Sequence, residues 1–326
     1  MRIDTMTYIN ISLPGIQGNQ SAIARLNQQI AGGLSLLSGK DDPVSAVKAL
    51  ELGNRIALRT QFAANQDKVE IDLNYSTLVS QEMHSALGQA HALLAGISTA
   101  YDSALRNTHA EQLKGVFNQV LDLLNTRDPS GNSIFAGFET ASVPFVNTSL
   151  DIPPSVSATQ YNGTAAPGGT RNVEVENGRY IQANDNLADV FLFTDANIVD
   201  PVQGGASHDV LENLAHAIIN LPLNVGATGV AVLTEADLKG YRDVLDVAMR
   251  KLERVQHRIA GSLTEIEDLR TTTQALLLNE KNALSDLTLT DTAAAIVELQ
   301  SRQTTLEAIS RAYALTSGLS LFNYLS

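Results

Sequence analysis

The sequence predicts a mainly α fold. A long antiparallel helical coiled-coil rod, formed by the N- and C-terminal halves of one chain, carries a β-rich insertion. Three observations predict it. Apolar residues repeat by sevens in both halves. The stretch 141–234 holds six of the nine prolines and eight glycines, which breaks any long helix there. Short turn motifs cut the helical halves into segments of definite length.

Near the N-terminus Ile16, Ile23, Ile30 and Leu37 fall seven apart, and Leu26 starts a second row. The run Ser38-Gly39-Lys40-Asp41-Asp42-Pro43 then breaks the helix. Gly39 is expected to end it as the residue after the C-cap. Asp42 suits an N-cap, and Pro43 suits the first turn of the next helix. Gly39, Asp42 and Pro43 form a candidate hinge between a terminal segment and a body. Beyond them Met83, Ala90 and Ile97 make one row, and Leu87, Leu94 and Tyr101 the other. Arg127–Asn132 stops this helical half. Ser133–Phe138, short and apolar, reads as a buried strand or hairpin arm. Pro144 demotes the next stretch to an edge strand or loop.

In 141–234, Asn162-Gly163, Pro167-Gly168-Gly169 and Asn177-Gly178 punctuate strand-like runs such as Val173–Val175 and Arg179–Ile181. One helix is expected, with Ser207 as N-cap and Leu211, Leu214, Ala215 and Ile218 as its apolar face. The longest seam lies beyond it. Leu238, Leu245, Leu252, Ile259 and Ile266 hold one row; Tyr241, Ala248, Val255, Leu269 and Leu276 hold the other, with Ser262 as its polar member. Leu299, Leu306 and Tyr313 repeat by seven at the end, with Ile309 on the second row and Leu315 just beyond. The expected division is a terminal segment of 1–40 plus 290–326, a helical body of 41–140 plus 235–289, and an inserted outer domain of 141–234.

Composition narrows the function. The net charge of −13 argues against a nucleic-acid binder or a polybasic membrane-surface protein. With no Cys, thiolate chemistry and Cys-ligated metal are gone. No apolar run reaches the ~18 residues of a membrane span, and the first residues lack the pattern of a cleaved secretory signal. His84 and His91 share a helix face, but only Glu82 stands near them in sequence, so they read as solvated histidines. Gly33–Lys40 has P-loop-like glycines at the wrong spacing, followed by acids that would repel phosphate. No catalytic motif is present. The expectation is a protein that is no enzyme and uses no cofactor or metal. The tails carry few charges: between 290 and 326 only Asp291, Glu298, Arg302, Glu307 and Arg311. Uncharged heptad tails with few large apolar residues suggest order gained on assembly.

Four stretches carry a resemblance. Leu37–Val47, LSGKDDPVSAV, matches a Ser-Gly…Asp-Asp-Pro element. Ser130–Phe145, SGNSIFAGFETASVPF, matches a Gly-Asn…Phe-Ala-Gly…Pro-Phe hairpin. Ala294–Ala312 matches a C-terminal helix with polar Gln300 and Gln303 among apolar rows. The ending Gly318–Leu325, GLSLFNYL, completes the set. Together they resemble the bacterial flagellar hook-filament junction proteins of the flagellin superfamily, over 1–145 and 235–326. The resemblance implies a flagellin-like fold whose terminal helices assemble as the inner layer of a tube. It implies export through the flagellar type III channel without a cleaved signal, to an extracellular place between hook and filament. The implied partners are copies of itself in a ring, the hook-side junction protein, flagellin, and a cytosolic export chaperone at the C-terminus. No nucleic acid or membrane is implied. The candidate assembly residues are then Ile16, Ile23, Leu26, Ile30, Leu37, Leu299, Leu306, Ile309, Tyr313 and Leu315. Two alternatives stay open at this point: a flagellin filament subunit, and a coiled-coil signalling or ligand-binding module whose insertion binds a small molecule.

Overall fold

The computed structural model describes residues 5–40, 42–97, 103–146, 160–164, 169–202, 204–222 and 233–322, with the backbone alone at 5–12, 103, 160, 313 and 315–322. Tyr101, Asp41, Pro167, Gly168 and the Asn323–Leu325 ending lie outside the described residues. The fold is mainly α with small β elements. The helices are α1 (Thr5–Gly32), α2 (Pro43–Ala95), α3 (Ser103–Leu124), α4 (Ala188–Phe191), α5 (Val210–Asn220), α6 (Glu235–Thr288) and α7 (Thr292–Phe322). The strands are β1 (Phe145–Val146), β2 (Gln160–Tyr161), β3 (Asn172–Glu176), β4 (Arg179–Gln182), β5 (Leu192–Thr194) and β6 (Ser207–Asp209). The chain divides into two compact units, one of residues 1–60 with 274–326 and one of residues 61–273.

The unit of 61–273 holds the core. In α2 the positions Val69, Leu73, Ser76, Ser80, Met83, Leu87, Ala90 and Leu94 alternate four and three apart, and all are buried. In α6 the predicted rows from Leu238 to Leu269 are buried, with Ser262 partly covered. That spacing is a coiled-coil seam. Polar contacts fix the helices antiparallel. Gln66 Nε2 donates to Thr273 Oγ1 at 3.1 Å, Gln256 Nε2 to the Ser80 carbonyl at 3.0 Å, and His91 lies 3.4 Å from Asp246. As the number rises on α2, it falls on α6.

Leu113, Phe117, Val120 and Leu124 of α3 join the same core, and α3 packs on α5. The six strands pair as three separate antiparallel two-stranded sheets: β1 with β2, β3 with β4, β5 with β6. The turn expected at Asn177-Gly178 joins β3 to β4 as a hairpin, with Gly178 at φ 73°. The insertion does not keep a core of its own. Phe145, Val175, Ile181, Phe191 and Phe193 belong to the same apolar cluster as the helices. Phe145 lies 4.9 Å from Tyr161 and 5.7 Å from Phe191, ring to ring.

Three local expectations are corrected. Asp209, not Ser207, caps α5: its carboxylate accepts from the amides of Leu211 at 2.9 Å and Glu212 at 3.1 Å, while Ser207 pairs in β6. Two residues closer to the helix, Asp209 is where the free amides point. Ser133–Phe138 is no strand. Only Ser133 bridges, to Arg127, and Ile134, Phe135 and Ala136 are buried within a succession of turns. Gly137 supplies one of those turns at φ 64°, where a Cβ would sit 2.3 Å from the Gly169 carbonyl oxygen. Finally, α1 stops at Gly32, before the heptad count reaches Leu37.

Candidate assembly surfaces

Among the described residues no group of three or more His, Cys, Asp or Glu could hold a metal ion, and no helix is long and apolar enough to cross a membrane. His84 and His91 each face a carboxylate across the seam, Glu253 at 3.9 Å and Asp246 at 3.4 Å, partners invisible to a reading of α2 alone. His208 is fully buried. Its Nδ1 lies 2.9 Å from Asp200 Oδ2 and its Nε2 2.9 Å from the Asp195 carbonyl, so it ties β6 to the preceding loop. His216 Nδ1 and the Tyr241 hydroxyl are 2.6 Å apart. Burial pushes the Tyr241 phenol up and the His216 imidazole down, so the hydrogen bond joins two neutral groups. These are structural networks.

The unit of 1–60 with 274–326 is built differently. Its described residues bury only two hydrophobic side chains, Leu26 and Ala295, both 8 % exposed. Helix α1 packs along α7, and Arg302 reaches Asn19 at 3.4 Å. Beside them the chain after α1 pairs with the turn between α6 and α7. Leu34 bridges Leu289, the Ser35 amide donates to the Thr288 carbonyl at 2.8 Å, and the Thr290 amide to the Gly33 carbonyl at 3.0 Å. Near this end Glu280, 4 % exposed, accepts from Arg55 at 2.6 Å and Arg59 at 2.9 Å.

The sequence-derived assembly residues differ in setting. Leu26 is buried. Ile16, Ile23 and Ile30 on α1, and Leu299, Leu306 and Ile309 on α7, are half-buried. The side chains of Tyr313 and Leu315 lie outside the described residues. Leu37 is not on α1; it sits in the following loop, 37 % exposed. The cause is Gly33, which at φ 67° takes the left-handed turn that ends the helix. Gly39 therefore does not terminate α1, and a Cβ there would meet only Ala46 at an ordinary 3.8 Å. Asp42 and Pro43 do open α2. Asp42 Oδ1 accepts from the amides of Val44 and Ser45, each at 3.1 Å, and Oδ2 from the Ser45 hydroxyl at 2.5 Å. The Ser45 hydroxyl, helped by the amides, holds the Asp42 carboxyl below its usual range.

Sequence reasoning missed one surface. Val44, Val47 and Leu50 at the start of α2 are 65, 66 and 67 % exposed, and Leu58 further along is 48 % exposed. The signal was available. Counted at about 100° per residue, these four fall opposite Ser45, Ala49, Leu52 and Ile56.

No protein-family model matches the chain. Two curated relatives match it from end to end. The flagellar hook-associated protein 3 of Salmonella typhimurium is 25 % identical over 334 residues, and that of Escherichia coli 26 % over 333, each covering 99 % of both chains. Among solved structures, the flagellar hook-associated protein 3 of Legionella pneumophila superposes with a TM-score of 0.58 at 14 % identity, over 72 % of this chain and 98 % of that one. The fold is that of the flagellar hook-associated proteins. The full-length relatives support the narrower placement as a hook-filament junction protein, the reading that the four motifs carry.

Proposed function

We propose that the chain is a structural subunit of the bacterial flagellum that joins the hook to the flagellin filament. The observation that carries the reading is the contrast between the two units. One has a continuous apolar core, and the other, built from both chain ends, fully buries just one large apolar side chain, Leu26, among its described residues and leaves the rest half-buried or exposed. A unit so poor in buried surface is completed by neighbours. In this reading α1 and α7 assemble with copies of the chain into a ring. One side of the ring meets the hook-side junction protein and the other meets flagellin. Asp42 and Pro43 mark the hinge between the assembling ends and the body. The chain leaves the cell through the flagellar export channel without a cleaved signal peptide, its C-terminus shielded beforehand by a cytosolic chaperone. It catalyses no reaction. The filament-subunit and ligand-binding readings are not favoured by the end-to-end relatives.

Amide hydrogen exchange on the purified monomer tests this. Residues 13–40 and 292–322 are expected to exchange far faster than 62–97 and 238–270. Equal protection throughout would describe a self-contained module and sink the proposal.

A further inference from the structure

The first turns of α2 are apolar on two opposite sides. Ser45, Ala49, Leu52 and Ile56 are half-buried and face inward. The outer arc carries Val44, Val47, Leu50 and Leu58, each about half to two-thirds exposed. A helix apolar on both sides belongs in a place covered on both sides. The arc holds one ionisable side chain, Glu51; at its edge stand Lys48 and Arg55, the latter turned to Glu280 at 2.6 Å. What covers such a face must itself be apolar and almost uncharged. The same unit offers a matching surface on another helix. Leu278 of α6 is 60 % exposed, and Leu289, three turns on and just past the helix end, is 55 % exposed.

Area decides between occupants. A fully exposed aliphatic side chain of this size offers roughly 60–120 Å² of apolar surface. At the observed exposures the stripe amounts to roughly 150–300 Å², well short of the ~800 Å² per partner of a stable complex. The stripe is too small to hold a separate protein in solution. It suits a neighbour already held by other contacts of the same unit. We infer that the outer stripe of α2 is a second contact between copies of this chain, seated on the Leu278–Leu289 edge of the next copy. Joining unlike faces makes the contact heterologous, the kind that closes into a ring or runs on as a helix. The inference rests on the ring reading above.

The absence of Cys makes the test clean, because an introduced thiol has no competitor. Chains bearing Val47→Cys and chains bearing Leu278→Cys are expressed together in cells lacking the native subunit, and sheared flagella are oxidised. The expected product is a disulfide-linked pair of two chains, found in assembled flagella and absent from the free protein; Leu50→Cys serves as a second reporter. Incorporation without a linked pair, or a link to a different protein, overturns the inference and leaves the ring reading standing. If the unsubstituted chain also fails to enter flagella, both fall. The charged variant Val47→Glu with Leu50→Glu is expected to lower incorporation at least tenfold with an unchanged melting temperature. Incorporation at the unsubstituted level overturns the inference.

Discussion

Replacing Leu306 by Asp separates folding from assembly. Leu306 sits on α7, half-buried in the free chain, in the unit that buries only Leu26 and Ala295 among its described hydrophobics. Burying a whole Leu side chain is worth ~1.5–3 kcal/mol, so the free chain loses about 1 kcal/mol from the covered half. In an assembly the other half is covered too, which adds about 1 kcal/mol. A carboxylate enclosed there without a partner costs a further ~3–5 kcal/mol. Arg302, one turn earlier, is already 3.2 Å from Glu298, which limits its use as a rescue. The loss in the free chain is common to both states and cancels, so the penalty on incorporation is about 4–6 kcal/mol per subunit, and at 1.4 kcal/mol per factor of ten it weakens incorporation by roughly a thousand-fold or more. The assay has two arms. Thermal unfolding of the purified chain, followed by circular dichroism, should keep the main transition, because the core of 61–273 contains no part of α7. Swimming motility and electron microscopy of a strain carrying only the variant should show hooks without filaments. Normal filaments on a strain producing folded Leu306→Asp protein would refute the reasoning.

Other substitutions have equally definite outcomes. Leu87→Ala, at a fully buried seam position, should destabilise the chain by about 2–5 kcal/mol in urea unfolding while leaving the exchange of 292–322 unchanged. Asp209→Ala removes the cap of α5 and should cost about 1 kcal/mol; Asp209→Asn, which can still accept both amides, should restore most of it. The Asp42 carboxyl ionises more readily in the folded chain, so its contribution is present above the ordinary carboxylate range and disappears as pH falls through its lowered folded value. Amide exchange at Val44 and Ser45 should therefore accelerate in strong acid relative to the middle of α2, and Asp42→Asn should abolish that extra acceleration. Glu280→Gln should loosen the pairing of α2 with α6 near Arg55 and Arg59, seen as faster exchange at Arg59 with little change at Leu87.

The heptad rows were legible because a coiled-coil seam writes its geometry directly into spacing. From Met83 to Leu94 and from Leu238 to Leu269 the positions the count selects are buried, Ser262 alone being only partly covered, and Ala86, Val244 and Val247 widen the covered face. Spacing does not report where a helix stops. Leu37 continues the row of Ile30 arithmetically, yet Gly33 has already turned the backbone. Polar members of a seam are equally hidden: Ser76 and Ser80 are buried by the register with α6, which no single segment encodes. The β-rich middle was legible in kind, from its turn residues. Its sharing of one core with the helices was not, since Phe145 and Phe191 meet across 46 residues of sequence. The outer stripe of α2 was encoded and overlooked. Spacing shows Val44 and Val47 opposite Ala49 and Leu52; which of the two sides is covered is set by packing against the rest of the unit.

Gln66 has a consequence for how the two long helices find each other. Its amide donates to the Val175 carbonyl at 2.8 Å and to Thr273 Oγ1 at 3.1 Å, and the side chain is wholly enclosed. The apolar rows beside it repeat by seven, so a misalignment by one full repeat would still set many apolar side chains against each other. The slip that brings Ile266 opposite Gln66 would strand an amide among hydrocarbon, at a cost of several kcal/mol. This glutamine works as a proofreading mark: two otherwise interchangeable zipper teeth can close fully in one alignment, and the β3–β4 hairpin docks only when they have.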